Sequence, residues 1–332
     1  MSDRSITYVA AFIEAVKQEM DADPDVFIAG EDVAAHGGVF HTFDGVQAQF
    51  GERRAVDTPI SEQAIIGLGV GAALTGLRPI VDLMFMDFSM VAADQIVNQA
   101  AKLKYMFGGT AKLPLTITTS GGAGLSAAAQ HSQSLEAIFC HIPGLKVVMP
   151  STPYDAKGLM AACIQDDNPT LMVLHKRMLG TRGIVPEERY TVPLGQAKVS
   201  REGTDVTVVS YGRTALECLT AAEQLQGEGI SVEVVDLRSL SPLDTGTVLA
   251  SVAKTHRAVV VHEAVRFGGF GAEVAAQIGE LAFDDLDAPV GRVAAPFSPV
   301  PFSPALETLY VPDAARIAEA LRAAVARPGL GS

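Results

Sequence analysis

Gly76-Leu77-Arg78-Pro79-Ile80-Val81-Asp82-Leu83-Met84-Phe85-Met86-Asp87-Phe88 is the stretch on which the fold reading turns. Ile80–Met84 is a short apolar run of strand length. Helical spacing precedes it over Gln63–Leu74 and follows it over Met90–Met106. Short apolar strands joined by helical crossovers make a parallel sheet covered on both faces. In such sheets ligands gather at the carboxyl ends of the strands, where Phe85-Met86-Asp87-Phe88 stands.

Outward from this stretch the alternation continues. Tyr8, Val9, Phe12, Ile13, Val16 and Met20 lie on one helical stripe with Thr7 as N-cap. Val26–Ala29 reads as a buried strand ending in Gly30-Glu31-Asp32, and His36-Gly37-Gly38 leads to a helix near Phe43–Phe50. Further strands are predicted at Leu115–Thr119, Lys146–Met149 and Leu171–Leu174, with helices at Leu135–Cys140 and Tyr154–Asp166. Charged, Gly- and Pro-containing sequence from Lys176 to Pro193 interrupts the pattern. A second run follows, with strands at Val206–Ser210, Val232–Asp236 and Ala258–His262. Its helices are Ala215–Gln226, Thr245–Lys254, Gly271–Leu281 and, after a Pro-rich crossing, Ala314–Val325. The expected architecture is α/β with two doubly wound domains, 1–180 and 201–332, joined by a linker over 181–200.

Composition agrees with that size. At 332 residues the chain has material for two domains of roughly 100–200 residues each. Hydrophobic residues make up 48% and charged residues 19%. The formal charge of −13 repels nucleic-acid backbones and anionic lipid, and suits docking to a basic region of a partner protein. Cys140, Cys163 and Cys218 lie far apart in apolar contexts, which predicts buried free thiols in a reducing compartment. No signal-peptide pattern and no apolar run of about 18 residues is present, so a cytoplasmic protein is expected.

Two familiar motifs fail on context. Gly67-Leu68-Gly69-Val70-Gly71-Ala72 matches the dinucleotide fingerprint, but that motif works only as a strand-to-helix turn. Here it lies within a predicted helix, where small residues give a smooth packing face. A hydrolase reading finds no nucleophile elbow, since Gly121-Gly122-Ala123-Gly124 holds no Ser or Cys.

Three features of the first domain remain. Asp57-Thr58-Pro59-Ile60-Ser61-Glu62 puts an acid at the mouth of a helix, where Glu62 alone reads as a cap or surface charge. Phe88, alone, reads as core. The third is Ala129-Gln130-His131-Ser132-Gln133-Ser134, a loop whose histidine alone reads as structural or solvated.

Together these segments resemble a family. Gly30-Glu31-Asp32, Thr58-Pro59-Ile60-Ser61-Glu62, Asp94-Gln95-Ile96-Val97-Asn98 and Gln130-His131-Ser132-Gln133 are similar to the beta subunits of the thiamine-diphosphate-dependent first component of 2-oxoacid dehydrogenase complexes. So are Pro143-Gly144-Leu145-Lys146-Val147-Val148 and the run Pro150-Ser151-Thr152-Pro153-Tyr154-Asp155-Ala156-Lys157-Gly158-Leu159. Pro301-Phe302-Ser303-Pro304-Ala305-Leu306-Glu307 extends the likeness into the second domain. Asp82–Phe88 and the Gln130-His131 run look closest to acetoin dehydrogenase beta subunits, with pyruvate and branched-chain forms near.

The resemblance implies a pyrimidine-binding domain followed by a transketolase C-terminal-like domain. It makes Glu62 the acid on the aminopyrimidine ring nitrogen, which lets the neighbouring amino group take the thiazolium proton. Phe88 becomes the aromatic against the pyrimidine, Met84 a residue on the approach to the ring, and His131 the histidine facing substrate. A structural potassium ion is implied at Leu115, Cys163, Ile164, Asp166 and Asn168. The chain lacks a G-D-G motif, so magnesium and the diphosphate fall to an alpha subunit in an α2β2 heterotetramer. A lipoyl acyltransferase is the implied acceptor of the two-carbon unit. Alternatives are a two-subunit transferase of secondary metabolism, a regulatory subunit without chemistry, and a nicotinamide dehydrogenase.

Overall fold

Thr7 opens the first long helix: its hydroxyl accepts the Ala10 N–H at 3.2 Å and satisfies one orphan donor of the helix start. Tyr8, Phe12, Val16 and Met20 are buried along the stripe that the spacing predicts, while Val9 and Ile13 are half-buried at its margin. The computed structural model describes residues 4–327 and divides the chain into two units. One runs to Gly121 and resumes over Gln130–Leu194; the other takes in Gly122–Ala129 and continues from Gly195.

The first unit holds β1 (Ser5–Thr7), α1 (Tyr8–Ala22), β2 (Val26–Gly30), α2 (Val46–Phe50), β3 (Ala55–Asp57), α3 (Glu62–Leu74), β4 (Arg78–Phe85) and α4 (Leu103–Met106). It continues with β5 (Thr116–Gly121), α5 (Glu136–Cys140), β6 (Lys146–Val148), α6 (Pro153–Gln165), β7 (Thr170–His175) and β8 (Arg182–Ile184). Six of these strands pair in parallel in the order β6-β7-β5-β4-β2-β3. Ile28, Ile80, Val81, Ile117 and Leu171 are buried in its centre, which explains why the strands read as continuous apolar runs. Each such side chain contributes about 1.5–3 kcal/mol of burial. Helix α3 covers β4, and Gly69 permits the approach. A methyl group there would stand 2.8 Å from Leu115 and 3.0 Å from Val81. The glycines of the false fingerprint lie inside the helix, and of the three only Gly69 is a tight packing position, Gly71 being exposed with open space beside it.

Two expectations change. The single helix predicted over Met90–Met106 is broken into a tight turn at Met86–Met90, a wide helical turn at Gln95–Ala100 and the short α4. Its apolar residues do not keep to one stripe: Ala92, Ile96, Ala100 and Ala101 are buried, while Met90, Val91, Tyr105 and Met106 are exposed. The segment predicted to be a linker is fastened to the first unit. Its Arg182–Ile184 strand pairs antiparallel with β1. Farther on, the carbonyls of Pro186, Glu187 and Glu188 accept the Lys157 ammonium at 2.7, 3.0 and 2.9 Å, and Arg189 meets Glu19 at 2.9 Å. Charge and proline content resemble a linker from the sequence, but here they serve a buried ion network.

The second unit contains β9 (Lys198–Arg201), β10 (Val206–Ser210), α7 (Arg213–Gln226), β11 (Val232–Asp236), β12 (Ser239–Ser241), α8 (Thr245–Thr255) and β13 (Ala258–Val265). It ends with α9 (Phe270–Leu281), β14 (Gly291–Ala295), α10 (Pro304–Tyr310) and α11 (Ala314–Val325). Its sheet runs β14-β13-β10-β11-β9, parallel except for the edge strand β9. Val206, Val208, Val234, Val259 and Val261 pack against Cys218 and Leu225 of α7 and Ile317 and Leu321 of α11. Among the described residues no helix is long and apolar enough to cross a membrane.

Candidate active site

Parallel pairing brings the carboxyl ends of neighbouring strands to one edge of the sheet. In the first unit that edge carries Asp57 at the end of β3, Gly30-Glu31-Asp32 at the end of β2, and Met84 to Phe88 at the end of β4. Lys176 follows β7 at the same edge. Loops there are ordered by carboxylates: Asp57 accepts the Ala34 and Ala35 N–H groups at 2.7 and 3.1 Å. Burial, then the negative charges of Asp32 and Glu62, raises the Glu31 carboxyl, so Glu62 makes itself felt across the edge.

Asp82 shapes the end of β4. Its carboxylate accepts the Met84 N–H at 2.9 Å and the Thr118 hydroxyl at 2.7 Å. Met84 thereby holds a left-handed backbone, φ 52°, and the β4–β5 register shifts between Asp82 and Phe85. Such strain persists where surrounding structure enforces it, commonly at functional sites. Burial pushes the Asp82 carboxyl up to about 6 from an ordinary 3.8, against the lowering effect of both hydrogen bonds. The folded protein therefore holds this proton more tightly than the unfolded chain. The associated stability is fully present below the ordinary value and is lost as pH rises through about 6. Unfolding free energies of the wild type and of Asp82→Asn should therefore diverge between these pH values and run parallel above about pH 7. A constant difference across the range would show that Asp82 carries no such shift.

The bulge turns Phe85 and Phe88 toward the loop that bears His131. The His131 ring stands edge-on to Phe85 at 4.8 Å and to Phe88 at 5.3 Å, and the two phenyl rings are 5.3 Å apart. Phe40 closes the cluster against Phe85 at 5.1 Å. The Lys176 ammonium donates to the His131 carbonyl and lies 5.2 Å over the Phe85 ring. Asp87 Oδ1 accepts the Gln133 side-chain amide at 2.8 Å, which ties the β4 end to the same loop. The carbonyl of His131 is thus held by Lys176 and its ring by two phenyl contacts, and no described residue hydrogen-bonds its ring nitrogens.

Glu62 is the first residue of α3 and is half-buried. A carboxylate in a first turn faces the positive end of the helix. The helix behind it is apolar on nearly every side: Ile65, Ile66 and Val70 face the core, while Leu68 and Leu74 are exposed. Ile60 just before it is 75% exposed, and Tyr105 farther along the chain is 84% exposed.

The five residues implied for potassium also lie in this unit. Asp166 Oδ1 accepts the Asn168 N–H and side-chain amide, both at 2.8 Å, and Oδ2 accepts the Lys146 ammonium. The Asn168 side-chain oxygen Oδ1 accepts the Lys104 ammonium at 2.6 Å, and the Ile164 backbone carbonyl accepts Arg78 at 2.9 Å. The Leu115 and Cys163 carbonyls accept the Thr170 and Asp166 N–H groups. Among the described residues no group of three or more His, Cys, Asp and Glu side chains is placed to hold a metal ion.

The structure therefore joins Phe88, Met84 and His131 through one bulge and one aromatic cluster, with Glu62 on the same sheet edge. Sequence reasoning missed Asp82, Phe85 and Lys176 as parts of it. Lys176 was findable, because it stands at the carboxyl end of a predicted parallel strand. Asp82 was not, since a lone acid inside a strand reads the same whether or not it bends the chain.

Comparison with known proteins bears on what this edge does. Residues 4–181 match the transketolase pyrimidine-binding domain and residues 195–317 the transketolase C-terminal domain. The beta subunit of the acetoin:2,6-dichlorophenolindophenol oxidoreductase of Cupriavidus necator is 49% identical, over 96% of this chain and 97% of that protein. The 2-oxoisovalerate dehydrogenase beta subunit of Bacillus subtilis and the pyruvate dehydrogenase E1 beta subunit of Staphylococcus epidermidis are each 44% identical, over 96% of this chain and 98% of theirs. A split-gene transketolase solved as an inactive beta4 tetramer shares the fold with a TM-score of 0.81, at 24% identity, over 97% of this chain and 99% of that one.

Proposed function

Since the chain belongs to the family of beta subunits of acetoin and 2-oxoacid dehydrogenases, built of transketolase pyrimidine-binding and C-terminal domains, we propose that it supplies the pyrimidine half of a thiamine-diphosphate site. With an alpha subunit it would cleave acetoin or a 2-oxoacid such as pyruvate. The observation that carries the reading is the contact of Phe88 with His131, at the sheet edge that also bears Glu62.

The residues fit that coenzyme. Two buried oxygens at the edge, Asp87 Oδ2 and Thr58 Oγ1, have no hydrogen-bond partner among the described residues. An aminopyrimidine ring offers the N–H donors and ring nitrogens that such atoms lack. When bound, thiamine diphosphate supplies a thiazolium carbon that becomes nucleophilic once its proton leaves. The work of this chain is to arrange that departure. Glu62 would hold a proton at its carboxyl oxygen and share it with the pyrimidine nitrogen. Phe88 gives the ring an apolar face, worth about 0.5–1.5 kcal/mol beyond its area. Met84, on its strained turn, borders the approach to the ring. His131 keeps its ring nitrogens available to orient substrate oxygens or to move a proton during transfer.

The diphosphate and its magnesium are assigned to the alpha subunit, because no G-D-G occurs in this chain. The exposed apolar residues around α3 suit the contact with it, since a covered patch of this kind marks an interface. We further assign an α2β2 assembly, a lipoyl acyltransferase as acceptor and a cytoplasmic location. Titration with thiamine diphosphate and magnesium tests the central claim. The co-expressed pair should show saturable binding and turnover of acetoin or pyruvate, and this chain alone neither. Full coenzyme binding by this chain alone would end the half-site reading.

A structural potassium ion at Leu115, Cys163, Ile164, Asp166 and Asn168 completes the proposal. Each carbonyl there retains a second lone pair. The ion would have to displace the Lys146 ammonium from Asp166 and Lys104 from Asn168. Exchanging sodium for potassium at constant ionic strength should then raise the unfolding temperature of the assembled protein. Equal temperatures in the two salts would remove the ion from the scheme.

A further inference from the structure

We infer that the second unit carries a binding site for a small organic phosphate with a planar ring, a nucleoside diphosphate in chemical class. The inference does not depend on the roles given to Glu62 and His131. It stands on one pocket of about 470 Å³, a size usual for small-molecule sites, at the carboxyl ends of β13 and β14. Parallel pairing brings Arg266 and Phe267, which leave β13, beside Pro296 and Phe297, which leave β14. The Arg266 N–H donates to the Ala295 carbonyl at 3.0 Å and fixes the two exits together. Arg292 of β14 and Arg316 of α11 complete the lining.

Guanidinium groups that line one pocket repel one another unless something negative lies between them. Elsewhere in this acidic chain arginines are answered by carboxylates, as Arg322 is by Glu228. Here they are not. Among the described residues no carboxylate pairs with Arg266, Arg292 or Arg316, although Glu319 borders the outer part of the same groove. Two of the three are held by main-chain oxygens instead. Arg316 donates to the Ala294 carbonyl at 3.2 Å and the Val311 carbonyl at 3.4 Å, and Arg292 to the Arg266 carbonyl at 3.5 Å. Carbonyls orient a guanidinium without neutralising it, and its five N–H donors leave some for an incoming anion. Arg266 is exposed, and its side chain makes no hydrogen bond or ion pair among the described residues. The planar fork suits phosphate oxygens taken two at a time, and so much positive charge matches a diphosphate better than a single carboxylate. The ring has its place as well. Phe267 and Phe297 meet edge-on at 5.3 Å, and each is 75% exposed, a phenyl pair on which a planar base can lie.

Calorimetric titration of the assembled protein with ADP tests the site. Magnesium is left out, so that a metal-dependent diphosphate cradle elsewhere stays closed. ADP should bind saturably, once per copy of this chain. Arg266→Gln alters an exposed side chain that supports no contact of the fold, and it should weaken ADP roughly 10–100-fold, the loss expected for a hydrogen bond to a charged group. Phe267→Ser should weaken ADP but leave inorganic pyrophosphate unchanged, and adenosine should not bind measurably. Arg316 is kept, because its carbonyl bonds serve the fold. No saturable ADP binding, or equal affinity in the wild type and Arg266→Gln, would overturn the site. Pyrophosphate binding as tightly as ADP, or adenosine binding as tightly, would overturn the ligand class.

Discussion

Glu62→Gln should abolish most of the turnover of the assembled enzyme, by about 10²–10⁴-fold, the range expected for a lost general acid–base group. The glutamine keeps the shape of the side chain at the start of α3 and can still accept one hydrogen bond. It cannot hold a proton for exchange with the pyrimidine nitrogen. Deuterium exchange at the thiazolium carbon should therefore collapse together with kcat, whereas assembly with the alpha subunit and affinity for the coenzyme should change little. Exchange at the wild-type rate in Glu62→Gln would remove the acid from the mechanism.

Lys157→Met should destabilise the protein by about 3–5 kcal/mol, as for breaking a buried ion pair. Lys157 is 1% exposed, and its ammonium meets Glu14 at 2.6 Å and the carbonyls of Pro186, Glu187 and Glu188. Burial raises the Glu14 carboxyl, but its bonds to Arg4 and Lys157 outweigh that effect and leave it below the usual range. Without the ammonium, three carbonyls lose their donor and the segment after β8 loses its anchor on α6. Denaturant unfolding of the assembled protein would measure the loss. Lys112→Met serves as the control, because its pair with Asp167 is exposed and should matter by less than about 0.5 kcal/mol.

The alternation of strands and helices was legible because it rests on burial, and burial leaves a period in the sequence. Thr7, the α1 stripe and the strand at Ile80 were all readable in that way. Glu62, Phe88 and His131 were legible only as members of a set, since each alone has an ordinary structural explanation. What could not be read was long-range partnership. Lys157 inside a family-like run gave no sign that it would bind the carbonyls of a segment some thirty residues on. Glu307 stood in a quoted motif, but nothing local shows that its carboxylate accepts the Gly124 N–H, at 2.6 Å, far back along the chain. The break in the Met90–Met106 helix was hidden for a related reason. Its residues are apolar enough to be a helix, and their division between core and outer surface depends on what covers them.

The nearly uniform greasiness of α3 has a consequence for the cell that makes this chain. A helix without a water-loving side is safe only while something is laid over it, so every copy synthesised ahead of its companion is a candidate for clumping. Matched output of the two polypeptides, from neighbouring genes read together, would then be a condition of solubility as much as of catalysis.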